Sequence, residues 1–320
     1  MVTSARERIL VVGGVSWNSM LYLDALPAPR PHTVFSRGLH ETVGSTGAGK
    51  AMNLSRLGFD VTLHSVLGQD EWGARVQARL AAEPFTYVFD PDPRGTERHI
   101  NLMDTGGERL SIFATYASFD PALDLDRLGR LVAGADLLAL NINNYCRALI
   151  PLAQAAGVPI WCDVHDWDGE DDYPRDFVDA SAALFASSLS LADVDAFMRA
   201  HIAAGRELVV CTHGAAGASA LTRAGERCDA PALPVDRLVD TNGAGDAFFS
   251  GFVYGHLRGD PLSQCMAYGA AAAALAVTSP ELAARDLSPE SLEAVRQRGA
   301  VDAAISAGGP ADRPDDALGE

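Results

Sequence analysis

The stretch LVDTNGAGDAFFSGFVYG, residues 238–255, joins a turn of small residues to the start of an apolar helix. Gly243, Ala244 and Gly245 precede the helical run, so their backbone N–H groups would point at an anion held at the positive end of the helix dipole. Asp246 follows in the first turn, where an acidic residue is commonly only a helix-start charge. Beside an anion cradle, however, it also supplies a proton acceptor, and phosphoryl transfer to a hydroxyl needs this pairing.

Upstream of this stretch, apolar segments of strand length alternate with helical segments. We predict helices at residues 48–57, 71–82, 124–133, 147–156 and 190–204, and strands at 9–14, 61–68, 135–143, 158–164, 182–187 and 207–214. Continuously apolar strands that alternate with helices favour a parallel sheet covered on both faces. The sequence therefore predicts an α/β fold.

Two regions break this alternation and carry strands that are polar on one face. They are residues 15–43 and 85–117, and we expect them to pair into a small sheet that projects from the main body. The alternative is a set of ordinary surface hairpins. From Gly299 onward the chain is rich in Gly, Pro, Ala and Asp, which predicts one domain over residues 1–298 and a disordered tail over 299–320.

Composition excludes several classes of partner. The chain has 320 residues and a formal net charge of −17, the opposite of the basic footprint that nucleic acids require. An acidic surface also disfavours binding to anionic membranes. The longest apolar run is too short to span a bilayer. The N-terminal segment lacks the apolar core of a signal peptide, and none of the five cysteines forms a CxxC pair. We expect a cytoplasmic protein with buried, reduced thiols at Cys162 and Cys211.

A second glycine-rich segment, GSTGAGK at residues 44–50, has the spacing of a P-loop. A working P-loop needs a Ser or Thr after its lysine to bind magnesium, and here Lys50 is followed by Ala51. Small residues at this density instead indicate a loop whose backbone a ligand approaches closely. We expect Lys50 to point into solvent, with contact to an anionic substrate group as the alternative.

The segment DTNGAGDAFFSGF, residues 240–252, closely resembles the signature DTxGAGDxFxxGF of the ribokinase family, or phosphofructokinase-B (PfkB) type, of carbohydrate kinases. Further resemblances follow in the family's order at residues 44–58, 66–73, 209–217 and 270–279, so that the similarity extends over about 8–290. The resemblance implies a ribokinase-like three-layer α/β/α sandwich with a mainly parallel central sheet and a small β-sheet lid. It also implies ATP-dependent phosphorylation of a sugar hydroxyl, with Mg²⁺ arriving on ATP, and a homodimer formed through the lid.

The resemblance assigns roles to individual residues. Asp246 takes the place of the general base, and the amides of Gly243, Ala244 and Gly245 take that of the anion hole. The implied nucleotide-binding positions are Thr212, Gly214, Gly217 and Gly245. Asp240 and Asn242 fall where many members bind a monovalent cation such as K⁺. The implied substrate-binding positions are Asn18, Gly44, Ser45, Thr46, Gly49, Asn53, Asn143 and Asp246.

Several departures from the family pattern leave alternatives open. Asn53 is either a sugar contact or a plain helix-surface residue. Asp163 and His165 either touch the phosphate region or lie in a solvated acidic loop, and we expect the loop. The family's N-x-x-E segment is altered and offers serines and Asp193 instead. A nucleoside kinase, with Trp17 stacking on a base, and a catalytically weak sugar or nucleotide sensor are therefore the alternatives to a sugar kinase.

Overall fold

The computed structural model describes residues 6–106 and 108–307. The strands are β1 (Arg8–Val12), β2 (Ser16–Tyr22), β3 (Gly38–Gly44), β4 (Asp60–Gly68), β5 (Thr86–Asp92), β6 (Glu97–Met103), β7 (Arg109–Thr115), β8 (Leu137–Leu140), β9 (Ile160–Asp163), β10 (Ala183–Ser187), β11 (Leu208–Thr212), β12 (Ala218–Thr222) and β13 (Arg227–Ala230). The helices are α1 (Thr46–Arg56), α2 (Glu71–Leu80), α3 (Leu125–Ala133), α4 (Leu149–Ala156), α5 (Arg175–Ala180), α6 (Val194–Ala203), α7 (Ala244–Leu257), α8 (Leu262–Val277) and α9 (Pro289–Ala307).

The larger sheet has the strand order β13-β12-β11-β10-β9-β8-β1-β4-β5 and is parallel from β11 to β5, with β12 and β13 antiparallel at one edge. Along β1 the side chains alternate between two cores: Ile9 and Val11 pack into one, Leu10 and Val12 into the other. Helices α1, α7 and α8 close the first core, and α3, α4 and α6 close the second. Because both faces are covered, the strands are apolar throughout, and the predicted α/β/α sandwich is confirmed.

The smaller sheet has the order β3-β2-β6-β7 and is the predicted lid. Its centre is the parallel pair β2 and β6, with an antiparallel strand on each side. One part of the lid prediction is wrong, because β5, within residues 85–117, joins the larger sheet beside β4. Tyr87 and Phe89 of β5 pack against the first core, and burial of these aromatic side chains outweighs the polar character of the rest of the segment.

The predicted tail begins too early. Helix α9 continues to Ala307, which corrects the predicted disorder of residues 299–307. The alanines in this stretch favour helix over coil. Residues 308–320, the rest of the predicted tail, lie outside the described residues. Within the described ranges, none of the helices has the length and apolar character needed to cross a membrane.

Candidate active site

The loop before α7 is built to leave backbone amides free. Gly243 has a φ of 79°, and a β-carbon there would lie 2.7 Å from Leu282 O, so conformation and space both require glycine. The first intrahelical bond runs from Ala247 N to Gly243 O (2.9 Å). The N–H groups of Gly243, Gly245 and Asp246 thus precede the helical ladder, and among the described residues they have no hydrogen-bond acceptor. The amide of Ala244 is less available than predicted, since it already donates to Thr241 O at 3.3 Å.

Two cavities meet at this loop. A polar cavity of about 550 Å³ is lined by Asn242 and Asp246 and runs beneath the lid. An apolar cavity of about 600 Å³ is lined by Thr241, Ala244 and Gly245. The residues 241–246 therefore form the wall between the two spaces, with the Asp246 carboxylate on one side and small residues on the other.

All four predicted nucleotide-binding residues line the apolar cavity: Thr212, Gly214, Gly217 and Gly245. The helix α8 contributes Ala270, Ala273 and Ala274 to the same space. Their small side chains leave a slot that is open at Gly245, where a β-carbon would meet nothing within 4 Å. The structure thus brings these four residues, which are far apart in the chain, to one cavity.

The predicted substrate-binding residues divide into two groups. Those that line the polar cavity are Asn18, Ser45, Thr46, Asn143 and Asp246. Gly44, Gly49 and Asn53 do not line it. Asn53 is fully buried and donates to Gly49 O (2.8 Å), so the alternative of a helix-surface residue is wrong. Gly44 pairs with Ser16 at the end of β3.

Hydrogen bonds hold the polar side chains of this cavity in place. Asn143 Oδ1 accepts from Gly14 N (3.0 Å), and Asn18 Oδ1 accepts from Ser16 Oγ (2.7 Å). Thr46 Oγ1 donates to Asn141 Oδ1 (2.8 Å). The sequence analysis missed Asn141, whose position just after the buried strand β8 was the available signal, because ligands and their supports gather at the carboxyl ends of parallel strands.

Lys50 is not exposed, which overturns its predicted solvent position. Its side chain is 1% exposed, and Nζ lies 2.5 Å from Asp246 Oδ1 and 3.1 Å from Asp163 Oδ2. Asp163 is buried at the end of β9 and does not belong to a solvated loop. A signal was present in α1, where the residues around Lys50 are mostly small or apolar. The structure buries every residue from Gly47 to Ser55, and a charge in a helix that is buried all round must be paired.

The three charged groups shift one another's pKa values. Burial by itself lowers the pKa of Lys50, but Asp246 and Asp163 raise it above its ordinary value. Burial raises the pKa of Asp246, and the attraction of Lys50 offsets this only in part. Burial also acts to raise the pKa of Asp163, but Lys50 and His165 hold it below its ordinary value. Asp246 is therefore the carboxylate of this pair that takes up a proton more readily.

His165 lines the polar cavity with a strained backbone. Its φ is 54°, in the left-handed region that few residues other than glycine adopt. Its N–H donates to Asp163 Oδ1 (3.0 Å), and its ring Nδ1 lies 3.6 Å from Asp163 Oδ2. The contact with Asp163 thus fixes the imidazole at the rim of the site.

The lid and the adjoining loops contribute side chains that the sequence analysis did not identify. Arg109 of β7 donates from Nη1 to Asn242 Oδ1 (2.5 Å), which ties the lid to the loop before α7. Four exposed aromatic side chains also line the polar cavity: Phe113, Tyr116, Phe119 and Tyr173. An exposed aromatic cluster usually marks a binding surface, but scattered single aromatics in a sequence do not show that they converge.

The predicted cation position is occupied by hydrogen bonds. Asp240 is buried, and its Oδ1 accepts from Asn242 N (2.7 Å). The side-chain oxygen of Asn242 already accepts from Arg109. Over residues 6–106 and 108–307, no three His, Cys, Asp or Glu side chains converge in a way that could hold a metal ion. Asp193 of the altered N-x-x-E segment caps α6 by accepting from Ala196 N (2.8 Å).

A buried carboxylate faces a cavity lined by amides, hydroxyls and aromatic rings, and beside it free amides open toward a second cavity. This is the arrangement of a small-molecule kinase, which must hold an acceptor hydroxyl and a phosphoryl donor on opposite sides of one loop. The chain belongs to the pfkB family of carbohydrate kinases, whose family model matches residues 8–288.

Individual relatives agree with this family. The chain is 34% identical over 288 residues to the acarbose 7(IV)-phosphotransferase of Actinoplanes sp., covering 87% of this chain and 94% of the relative. It is 27% identical over 274 residues to an ATP-dependent ribose-1-phosphate kinase of Halopiger xanaduensis, covering 84% and 91%. A microbiome-derived acarbose kinase superposes with a TM-score of 0.83 at 26% identity, covering 92% of this chain and 100% of that structure. The protein is therefore a carbohydrate kinase with the ribokinase fold.

Proposed function

We propose that this kinase transfers the terminal phosphoryl group of ATP to a hydroxyl of a carbohydrate bound in the polar cavity. One observation carries the proposal: residues 241–246 separate the two cavities, with Asp246 facing the polar one and Ala244 and Gly245 facing the apolar one. A hydroxyl beside Asp246 and a phosphate at the amides of Gly245 and Asp246 would be adjacent.

The residues divide the work of the reaction. Asp246 accepts the proton of the acceptor hydroxyl, so that the oxygen attacks phosphorus, a new O–P bond forms and the bond to ADP breaks. The free N–H groups of Gly245 and Asp246 donate to the phosphoryl oxygens, where negative charge accumulates. The polar side chains of Asn18, Thr46 and Asn143 orient the sugar, because amides and hydroxyls can both donate to and accept from its hydroxyls.

The apolar cavity fits the nucleoside end of ATP. Its walls are mostly alanines, glycines and larger apolar side chains such as Leu233 and Phe248, and it reaches Ala244 and Gly245 at the start of α7. Thr212, Gly214 and Gly245 would hold ATP there. ATP would supply the phosphoryl group, and Mg²⁺ bound to ATP would neutralise part of the charge on its phosphates. Because the described residues offer no cluster of metal-binding side chains, we assign Mg²⁺ no ligand from this chain. A K⁺ ion near Asp240 stays a hypothesis, tested by replacing potassium with choline salts in the assay.

We propose acarbose or a related sugar as the first acceptor to test. Relatives named for acarbose phosphorylation match this chain over most of its length. The volume of about 550 Å³ lies within the usual range of ligand sites, and aromatic rings at the mouth suit the apolar faces of sugars. The nucleoside alternative loses its stacking residue, because Trp17 lies outside the cavity and donates from Nε1 to Glu41 Oε1 (3.4 Å).

The proposal is tested by measuring ADP release with acarbose, ribose, ribose 1-phosphate and inosine as acceptors, and by identifying the product with ³¹P NMR. Asp246→Asn keeps the shape of the base but removes its proton affinity. We expect turnover with a sugar in the wild type and a loss of about 10²–10⁴-fold in Asp246→Asn. Turnover of inosine alone would favour the nucleoside kinase, and ADP release that no acceptor stimulates would favour the sensor.

We also propose that two copies associate through their lids. The lid exposes a group of apolar side chains, with Leu39 at 62%, Leu110 at 46% and Ile112 at 43% exposure. Apolar area of this kind is costly in water and is commonly covered by a partner. Light scattering on the wild type and on Leu39→Glu tests this proposal, and a wild-type mass of one chain would contradict it.

A further inference from the structure

Lys50 is a buried ammonium group held between two carboxylates, one of which is the proposed base. Its Nζ lies 2.5 Å from Asp246 Oδ1 and 3.1 Å from Asp163 Oδ2. On a third side the ammonium lies 5.3 Å from the centroid of the Phe249 ring. A charge removed from water is costly unless its partners are close, so this arrangement calls for a function.

We propose that Lys50 is a positioning residue for the base: it holds Asp246 by Oδ1 in its ionised form and leaves Oδ2 for the acceptor hydroxyl. Among the described residues, Oδ2 has no hydrogen-bond donor, while Oδ1 is engaged by Lys50. The carboxylate thus has one fixed oxygen and one free oxygen, and it lines the polar cavity. This inference rests on the proposed function, because it concerns the base of that reaction.

Asp163 has the complementary part in this arrangement. Before proton transfer the group holds one positive and two negative charges. After Asp246 takes the proton of the acceptor, Lys50 and Asp163 remain as a neutral ion pair. Lys50 therefore stays paired with Asp163 while Asp246 is protonated, so its ammonium group can keep the same position throughout the reaction. Asp163 is the anchor that keeps Lys50 in place.

The two neighbours of Asp246 act on it in opposite directions. Burial raises the pKa of Asp246, Lys50 of α1 lowers it, and Asp163 at the end of β9 raises it again. The imidazole of His165, on the same side as Asp163, lowers it slightly when charged. The polar cavity also holds more distant charged or titratable groups from the lid and its surroundings: Glu97, His99, Arg109, Tyr145 and Asp166.

The test compares the pH dependence of kcat/KM in three variants. Lys50→Met keeps the length of the side chain and removes its charge, so the acidic limb should move up by about one pH unit or more. Asp163→Asn should move the same limb down. Arg56→Met is the matched control. Arg56 lies on α1, as Lys50 does, but it pairs with Glu83 (2.7 Å) and lies away from Asp246. It should leave the limb in place, and all three should keep the KM for ATP.

A purely structural lysine would give a different result. Lys50→Met would then lower kcat equally at every pH and leave the acidic limb where it was, which would overturn the proposal. If Lys50→Met folds poorly, the double variant Lys50→Met/Asp163→Asn can replace it. The double variant removes one charge of each sign, so that Asp163 is not left as a buried carboxylate without its lysine. In the double variant the burial of Asp246 is unopposed, so the acidic limb should again lie above that of the wild type.

A second readout does not depend on turnover. Without Lys50, the pKa of folded Asp246 rises further, so folding favours its protonated form and stability falls as pH rises. The loss of Tm in Lys50→Met should therefore be larger at ~pH 8 than at ~pH 5. Adding Asp246→Asn to Lys50→Met should reduce this difference, and adding Asp163→Asn as well should remove it, because Lys50 offsets the burial of both carboxylates. An equal loss at both pH values would overturn the proposal, whereas a wild type that phosphorylates no acceptor would refute only the proposed function.

Discussion

The backbone of Gly49 lies against Asp246: a β-carbon at position 49 would be 2.5 Å from Asp246 Oδ2. The glycine of helix α1 therefore makes room for the free oxygen of the base. We expect Gly49→Ala to displace this oxygen and lower kcat about 10²-fold, because small misplacements of reacting groups are costly. Steady-state kinetics should show this loss with the KM for ATP unchanged.

The control for this substitution is Gly129→Ala in α3. Its β-carbon would meet only Leu152 Cδ2, at 4.0 Å, so it has room. Both changes favour helix over coil through the higher propensity of alanine, and only Gly49→Ala touches the base. If both variants keep wild-type kcat, the contact between position 49 and Asp246 has no catalytic role.

The two glycines at the start of α7, Gly243 at the N-cap and Gly245 in the first turn, should respond differently to substitution by alanine. Gly243 has positive φ and a β-carbon there would strike Leu282 O, whereas Gly245 is open within 4 Å. We expect Gly243→Ala to lower Tm in the absence of ligands, since backbone strain at such a position costs ~1–3 kcal/mol. Gly245→Ala should keep Tm but raise the KM for ATP, because its methyl group would occupy the proposed phosphate path. Equal Tm losses would contradict this assignment.

The contact between Arg109 and Asn242 joins the lid to the loop before α7, next to the proposed anion site. We expect Arg109→Met to raise the KM for the acceptor and to lower kcat by about tenfold, a loss typical of removing one charge-assisted hydrogen bond. Arg37→Met is the matched control, because Arg37 pairs with exposed Asp24. Unchanged acceptor kinetics in Arg109→Met would show that the lid closes without this contact.

The aromatic rim should act on the acceptor alone. Phe119 is 65% exposed, lines the polar cavity and lies 6.5 Å from Tyr173, centroid to centroid. We expect Phe119→Ala to raise the KM for the sugar about tenfold through lost apolar contact, with the KM for ATP unchanged. Leu189→Ala, which removes an exposed apolar side chain (82% exposure) outside the cavity, should change neither KM. If Phe119→Ala raises only the KM for ATP, Phe119 contacts the nucleotide and not the sugar, which would contradict the prediction.

The ionised carboxylate of Asp246 should lower the free energy of unfolding at neutral pH. Its pKa is raised by burial, so the folded state favours the protonated form, and its contribution to stability is lost as pH rises through that raised pKa. We expect Asp246→Asn to gain Tm relative to the wild type as pH rises from ~4.5 to ~7.5. Calorimetry at both pH values measures this gain.

Asp168→Asn gives the opposite sign and serves as the control. Backbone N–H donors of Asp171 and Glu170 hold the pKa of Asp168 below its ordinary value. Its stabilising contribution is therefore present at neutral pH and is lost as pH falls through the lowered pKa. Asp168→Asn should lower Tm at ~pH 7.5. If Asp246→Asn also lowers Tm at this pH, ionised Asp246 stabilises the folded protein, and the predicted gain in Tm is wrong.

Local patterns were enough to predict a parallel sheet covered on both faces and the glycine turn that precedes helix α7. Continuous apolar strands can only be buried on both faces, and the segment 240–252 is short enough that its geometry follows from its own residues. The family resemblance pointed to Thr212, Gly214, Asn18 and Asn143, and three of them also lie at the ends of predicted strands: Thr212, Gly214 and Asn143.

Contacts between distant segments were less accessible. Lys50 is 113 residues from Asp163 and 196 from Asp246, so its partners depend on how α1, β9 and α7 pack. The rim aromatics come from separate loops and the lid, and no periodicity connects them. The polar residues of β5 favour a place in the lid over one in the larger sheet, in spite of Tyr87 and Phe89. In the structure, Asp90 and Asp92 of this strand are buried and have hydrogen-bond partners, which are His64 and Ser118 respectively.

The junction between the lid and α1 consists of one residue. Strand β3 ends at Gly44, α1 begins at Thr46, and Ser45 between them has a φ of 72°. Such a stiff joint gives the lid little freedom to bend independently of the helix that carries Gly49 and Lys50. A displacement of β3 would therefore be transmitted to α1, whose Gly49 and Lys50 lie against Asp246. The orientation of the lid and the position of that carboxylate are thus coupled.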